Sequence, residues 1–268
     1  MTSVRLIATD LDGTVLRTGG TVSERTVRAL GAAEDAGVMI IVATGRPPRW
    51  VRPVAEALGH TGLAICANGA VIYDMHTERV IEHTPIARDA VLAVAAAVRR
   101  AVPGVTFAVE TFDRGFAREE GYPVARGPAD DAEEIRVGPL DELATDDVVK
   151  LLVRHQHLDP DGLLAAARDV AGDLAELTHS SRSGLLEISA TGVTKAATLA
   201  QLASRNGIDA AHVVAFGDMP NDLPMLAWAG TGFAMANAHP EVLAAAKNVA
   251  PSNDDDGVAQ VVERLLAG

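Results

Sequence analysis

The chain has 268 residues, 48% of them hydrophobic and 22% charged, a composition that excludes a disordered polypeptide and suffices for one large domain or two smaller ones. With only 3% aromatic residues the core must be filled by Ala, Val, Leu and Ile, and a stacking platform for single-stranded nucleic acid is excluded. A formal net charge of −13 repels any nucleic-acid backbone, yet still allows a small anionic substrate where a metal and a few cations set the local field. The lone Cys66 cannot form an intrachain disulfide, which suits a reducing cytoplasm. The first apolar run, residues 4–8, is interrupted by Arg5 and stops at Asp10, too short for a signal peptide or a membrane span. The Ala/Val stretch at 87–98 carries Arg88 and Asp89 and reads as a soluble helix.

In chain order, short β-branched runs alternate with Ala/Leu-rich amphipathic stretches. The pattern predicts a strand at 5–9, a helix at 23–36 capped by Ser23, a strand at 39–43, a helix at 49–58 and a strand at 64–67. The middle of the chain changes character. Apolar runs at 105–109, 148–153 and 185–188 sit beside two helical segments, 88–102 and 160–171, and several strands follow one another without a helix between them. The Gly/Pro/acidic stretch 127–134 reads as a surface loop. The alternation then resumes: helix 195–206, strand 212–216, helix 221–229, strand 232–236, and helices at 241–246 and 257–266. The expected architecture is a doubly wound, Rossmann-like parallel sheet with an α+β insertion carrying an antiparallel sheet.

The chemistry concentrates where strands end. Asp10 and Asp12, in Asp-Leu-Asp-Gly-Thr, lie two residues apart after the first strand, so an extended backbone presents both carboxylates on one side, at the sheet edge where open α/β folds bind ligands. Taken alone, the segment also reads as an Asp-rich turn. Thr44, Gly45 and Arg46 follow the second strand; Thr44 is equally readable as an anion-binding hydroxyl or as the N-cap of the next helix. Lys195 opens the first helix after the insertion, against the helix dipole, which points to a nearby anion unless the side chain is simply solvated. Asp218, Asn221 and Asp222 follow the apolar run 213–216 and offer oxygen ligands one helical turn apart, a donor set suited to Mg²⁺. Zinc is disfavoured, because Cys66 is alone and no histidine pair has ligand spacing; His155 and His157 read as alternating along a strand of the inserted sheet.

Together, Asp10/Asp12, Thr44, Lys195 and Asp218/Asn221/Asp222 resemble, in order, the four motifs of the haloacid dehalogenase-like hydrolases. The resemblance covers residues 1–80 and 190–268 as a phosphatase core, and the insertion 81–189 resembles the type IIB cap of the Cof-like phosphatase branch, as does Asn68-Gly69-Ala70. It implies a cap closing over the active site, on connections near 78–84 and 189–194. It further implies that Asp10 is the nucleophile, Asp12 the general acid and base, and Thr44 and Lys195 the holders of the phosphoryl oxygens. Mg²⁺ would be held by Asp10, the Asp12 carbonyl and Asp218, with Asn221 and Asp222 completing its shell or orienting Lys195. Gly45, Arg46 and Asn68 are candidate substrate contacts, and His179 and Arg182 are polar residues able to face a cleft. The expected function is an Mg²⁺-dependent phosphatase acting on a small phosphorylated metabolite such as a sugar phosphate, with no nucleic-acid or membrane partner and an open oligomeric state. A phosphomutase and a catalytically silent metabolite-binding protein are the alternatives. The cap arginines Arg114, Arg118, Arg126, Arg136 and Arg182 form no evident cluster of the phosphomannomutase kind.

Overall fold

The computed structural model describes residues 4–59, 62–123, 135–180 and 184–267, so the 127–134 loop, Arg126 and Arg182 lie outside the described residues. The chain divides into two compact units, one formed by Met1–Ile81 with Lys195–Gly268 and the other by Glu82–Thr194.

The chain enters the first unit through β1 (Leu6–Thr9), α1 (Glu24–Asp35), β2 (Met39–Ala43), α2 (Pro48–Leu58), β3 (Leu63–Cys66), β4 (Val71–Asp74) and β5 (Arg79–His83). It then builds α3 (Arg88–Ala101), β6 (Thr106–Thr111), β7 (Gly115–Arg118), β8 (Arg136–Val137), α4 (Leu140–Leu143), β9 (Val148–Arg154), α5 (Pro160–Ala171), β10 (Glu176–Thr178) and β11 (Leu185–Ser189). It returns through α6 (Lys195–Arg205), β12 (Val213–Gly217), α7 (Leu223–Trp228), β13 (Thr231–Met235), α8 (Pro240–Ala245), β14 (Asn248–Ala250) and α9 (Gly257–Leu266).

The first sheet runs β14-β13-β12-β1-β2-β3-β4-β5. Strands β14 through β3 are mutually parallel and β4 pairs antiparallel with β3, so the doubly wound sheet carries a reversed extension at one side. Parallel strands need crossovers, and helices supply them. Helix α1 starts where Ser23 accepts a hydrogen bond from the Thr26 amide, and α2 starts on Pro48, whose fixed φ suits a first turn. Leu6, Ala8, Ile41, Ala43 and Ile65 from the strands pack with Leu199, Leu202 and Ala203 of α6 in one apolar cluster. Each Leu or Ile so buried contributes about 1.5–3 kcal/mol relative to exposure.

The second unit is α+β. Its sheet runs β10-β11-β9-β6-β7-β8, antiparallel except for the β7–β8 pair. One face, with Phe107, Val109, Leu151, Val153, Leu186 and Ile188, packs in a separate core with Val91, Val94 and Val98 of α3 and Leu163 and Ala167 of α5. Two local readings change. The segment read as one helix over 221–229 is a 3₁₀ turn, Pro220–Asp222, followed by α7, because two prolines, Pro220 and Pro224, crowd its start. His155 and His157 sit beyond the end of β9, where His155 Nδ1 accepts hydrogen bonds from the amides of His157 and Leu158 and builds a turn in place of a strand. Among the described residues, no helix is long and apolar enough to cross a membrane.

Candidate active site

Four strands of the first sheet, β12, β1, β2 and β3, deliver their carboxyl ends side by side. Asp10 follows β1, Thr44 follows β2, Asp218 follows β12, and the turn at 67–69 follows β3. The register sets this: Thr9 pairs with Phe216 and with Val42, and the Asp10 amide donates to the Phe216 carbonyl at 3.1 Å.

Lys195 is the centre of the charge network. It is 1% exposed, and its Nζ donates to Asp10 Oδ1 at 2.6 Å and to Asp222 Oδ1 at 2.7 Å. The solvated-lysine reading is thereby set aside. Burial works against its charge, but Asp10 and Asp222 outweigh it and hold the ammonium above its ordinary pKa. Asp222 is fully buried, and its other oxygen accepts from the amides of Asp218 and Met219, both at 3.0 Å. Gly217 makes this fold-back possible, since a Cβ there would lie 2.4 Å from that of Asp222.

Asp218 is placed by the loop after β1. Thr14 Oγ1 donates to Asp218 Oδ1 at 3.2 Å, and a Cβ on Gly13 (φ +79°) would lie 2.3 Å from Asp218 Oδ2, so both the conformation and the space at residue 13 require glycine. The Gly13 carbonyl accepts from Asn237 Nδ2 at 2.8 Å, Asn237 Oδ1 accepts from the Asn253 amide at 3.0 Å, and Asn253 Nδ2 donates to the Leu16 carbonyl at 2.9 Å. These two asparagines clamp the Asp10–Leu16 loop. Sequence reading missed them because they stand more than 200 residues away and carry no spacing signal.

Carboxylate oxygens of Asp10, Asp218 and Asp222 lie within 4.8 Å of one another, and all three residues are buried. Three carboxylates against one ammonium leave an excess of two negative charges in a buried space. Burial accordingly drives the Asp218 carboxyl up to about 7, with Asp222 pushing the same way and Lys195 opposing; it also drives Asp10 well above its ordinary value, against the pull of Lys195. An all-oxygen set with a charge excess of two fits a divalent, hard cation. Asp10 and Asp218 each keep an oxygen outside the hydrogen bonds just described, whereas Asp222 commits both of its own.

Asp12 turns elsewhere. Its carboxylate is half-exposed and makes a two-point pair with Arg46, Nε to Oδ2 at 2.7 Å and the terminal nitrogen to Oδ1 at 2.6 Å. The hydrogen bond to Asp12 raises the Arg46 pKa, outweighing partial burial. Thr44 is 1% exposed, and its hydroxyl accepts from the Arg46 amide at 3.1 Å. It does not cap α2, whose N-cap is Pro47. Asn68 joins the group through its Oδ1, which accepts from Asn221 Nδ2 at 3.0 Å. His179 lies in the other unit, fully buried, with Nε2 2.9 Å from Asp161 Oδ1.

A parallel α/β sheet whose strand ends gather a buried carboxylate–lysine cluster offers the positioning and charge neutralisation that phosphoryl transfer needs. The family model of the haloacid dehalogenase-like hydrolases matches residues 7–262, and the chain belongs to that family. It is 31% identical over 268 residues to the pyridoxal phosphate phosphatase YbhA of Escherichia coli, covering 97% of this chain and 98% of that one. It is 30% identical over 268 residues to the 5-amino-6-(5-phospho-D-ribitylamino)uracil phosphatase YcsE of Bacillus subtilis, covering 98% and 96%. In fold it is similar to the subclass IIB sugar phosphatase BT4131, with a TM-score of 0.80 and 22% identity over 97% of this chain and 98% of that one. The chain is thus an enzyme of the phosphatase type.

Proposed function

We propose that the chain is an Mg²⁺-dependent phosphomonoesterase acting on a small phosphorylated metabolite through an aspartyl-phosphate at Asp10. The observation that carries this reading is the buried Lys195 ammonium shared between Asp10 and Asp222, with Asp218 in the same cluster. Asp10 attacks phosphorus with a carboxylate oxygen, and the bond from phosphorus to the leaving oxygen breaks. Asp12 gives its proton to the departing alkoxide, then takes one from the water that attacks the phosphoenzyme, releasing phosphate and restoring Asp10. This role requires the Asp12 carboxyl to leave its pair with Arg46, which sits beside it at the end of β2. Thr44 and Lys195 hold the phosphoryl oxygens. Asp222 orients Lys195, to which it is already bound.

Asp10 and Asp218 would hold Mg²⁺, together with the Asp12 carbonyl and Asn221; the ion, when bound, would neutralise charge on the transferring group. The donor set and its excess negative charge support this assignment. The substrates of the two curated relatives, pyridoxal phosphate and a phosphorylated ribityl amine, share a phosphomonoester on a primary carbon, and a sugar phosphate presents the same reacting group. The substrate is therefore proposed from this class. The test is hydrolysis of a panel of such phosphomonoesters with and without Mg²⁺, ranked by kcat/KM. Release of phosphate that needs Mg²⁺ and disappears in Asp10→Asn supports the reading; full activity after exhaustive chelation refutes it. Strict dependence on a sugar bisphosphate activator would favour a phosphomutase instead.

A further inference from the structure

The loop after β1 turns at Gly13, a residue with no side chain to pack and the widest choice of backbone conformations. Asp218 nonetheless depends on its place. A Cβ at Gly13 would lie 2.3 Å from Asp218 Oδ2, and the neighbouring Thr14 hydroxyl donates to Asp218 Oδ1 at 3.2 Å. Within the loop, the Thr14 and Leu16 amides close on the Leu11 carbonyl at 3.2 and 2.8 Å, which leaves the Gly13 carbonyl to be held from outside.

The hold comes from the turn that follows β13. Asn237 Nδ2 donates to the Gly13 carbonyl at 2.8 Å, and two residues further on the His239 amide donates to the Asp218 carbonyl, also at 2.8 Å. A single turn thus grips the main chain of both loops, the one after β1 and the one after β12, whose side chains meet in the carboxylate cluster. The turn is itself secured. The Ala236 amide donates to the Ala250 carbonyl at 3.0 Å, the Ala238 amide to the Met235 carbonyl at 2.9 Å, and Asn237 Oδ1 accepts from the Asn253 amide at 3.0 Å. Both ends of the Asn237 side chain are therefore engaged with backbone. From this we infer that Asn237 is a positioning residue for phosphoryl transfer: it fixes the loop of Asp10 and Asp12 at its working distance from Asp218 without touching the reacting groups. The inference rests on the phosphatase reading above.

The experiment measures kcat and KM on p-nitrophenyl phosphate with Mg²⁺ for wild type, Asn237→Ala, Asn237→Asp, Thr14→Val and the Asn237→Ala/Thr14→Val double variant. Hydrogen exchange of the metal-free chains, read peptide by peptide, accompanies it. Asn237→Asp keeps an acceptor for the Asn253 amide but has no donor for Gly13, so it removes the one tie and serves if the alanine variant folds poorly. Both variants at residue 237 should lower kcat by about ten- to a hundredfold, as a small misplacement of reacting groups does, with little change in KM. The peptide covering residues 11–16 should exchange faster in both, while peptides from β2 and α6 keep the wild-type rate. Because Thr14 and Asn237 act on one placement, the double variant should lose less than the product of the two single losses. A kcat within twofold of wild type in Asn237→Ala and Asn237→Asp would overturn the inference, as would single losses that multiply. Faster exchange in every peptide would also overturn it and make Asn237 a residue of general stability, and an effect confined to KM would make it a substrate contact. A wild-type chain that releases no phosphate would refute the functional reading and the inference with it, whereas an active wild type with unaffected variants refutes the inference alone.

Discussion

Asp10 and Asp12 stand two residues apart yet keep different company, the first buried against Lys195 and the second half-exposed against Arg46. Their substitutions should therefore fail differently. Asp12→Asn should depress turnover of an alkyl phosphate by about 10²–10⁴, the usual worth of general acid–base assistance, but slow the first step on an aryl phosphate far less, because that leaving group needs little protonation. Single-turnover rates on the two substrates measure the difference, and an equal loss on both contradicts the role. Asp218 yields a prediction in pH. Its carboxyl, held near 7 instead of 3.8 in the metal-free fold, binds a proton that the unfolded chain lacks between about pH 4 and 7. Metal-free stability should accordingly fall as pH rises through that window, while Mg²⁺ affinity rises because the proton no longer has to be expelled. Melting in chelator and Mg²⁺ titration across the window test both signs, and Asp218→Asn should flatten the first and weaken the second. At this scale the sequence already marked Asp10, Thr44, Lys195 and Asp218, since each follows a strand or opens a helix. It did not show the Asp12–Arg46 pair, the Asn237–Asn253 clamp or the Asn68–Asn221 contact, which depend on how separate strand ends meet.

At the scale of elements, what was legible followed from periodicity. Met39–Ala43, Pro160–Ala171 and Gly257–Leu266 carry clean apolar patterns and form where those patterns place them. Strands β4, β5, β7, β8, β10 and β14 were not legible. Each has five residues or fewer, and β5 is almost wholly exposed, so no alternation distinguishes it from loop. The turn after β1 is the element on which the site depends most. Gly13→Ala must both strain a left-handed backbone, at about 1–2 kcal/mol, and displace the Asp218 carboxylate that lies 2.3 Å from the new methyl. We predict a loss of activity of about a hundredfold, as misplacement by about an ångström produces, with a modest drop in melting temperature. Activity within twofold of wild type in Gly13→Ala would show that Asp218 does not need this approach.

On the scale of the whole molecule, each of the two units of the chain has apolar core of its own, and the carboxylate–lysine cluster belongs to one unit. A ligand that binds only folded protein stabilises the part it binds, by an amount set by its concentration over its dissociation constant. Scanning calorimetry should therefore resolve more than one transition, and Mg²⁺ should raise the one belonging to the unit with Asp10 and Asp218 while leaving the other in place. Sodium chloride of equal ionic strength should not reproduce the shift, although it screens the net charge of −13. Equal displacement of all transitions by either salt would indicate general screening.

The most direct test of the central claim is to quench the reaction in acid during turnover of an aryl phosphate and locate the phosphoryl group by peptide mass spectrometry, in wild type, Asp12→Asn and Asp10→Asn. The account predicts a phosphorylated peptide modified at Asp10, accumulating in Asp12→Asn where the water lacks its base, and absent with all turnover from Asp10→Asn. A phosphoryl group on another residue, or measurable turnover by Asp10→Asn, would contradict it.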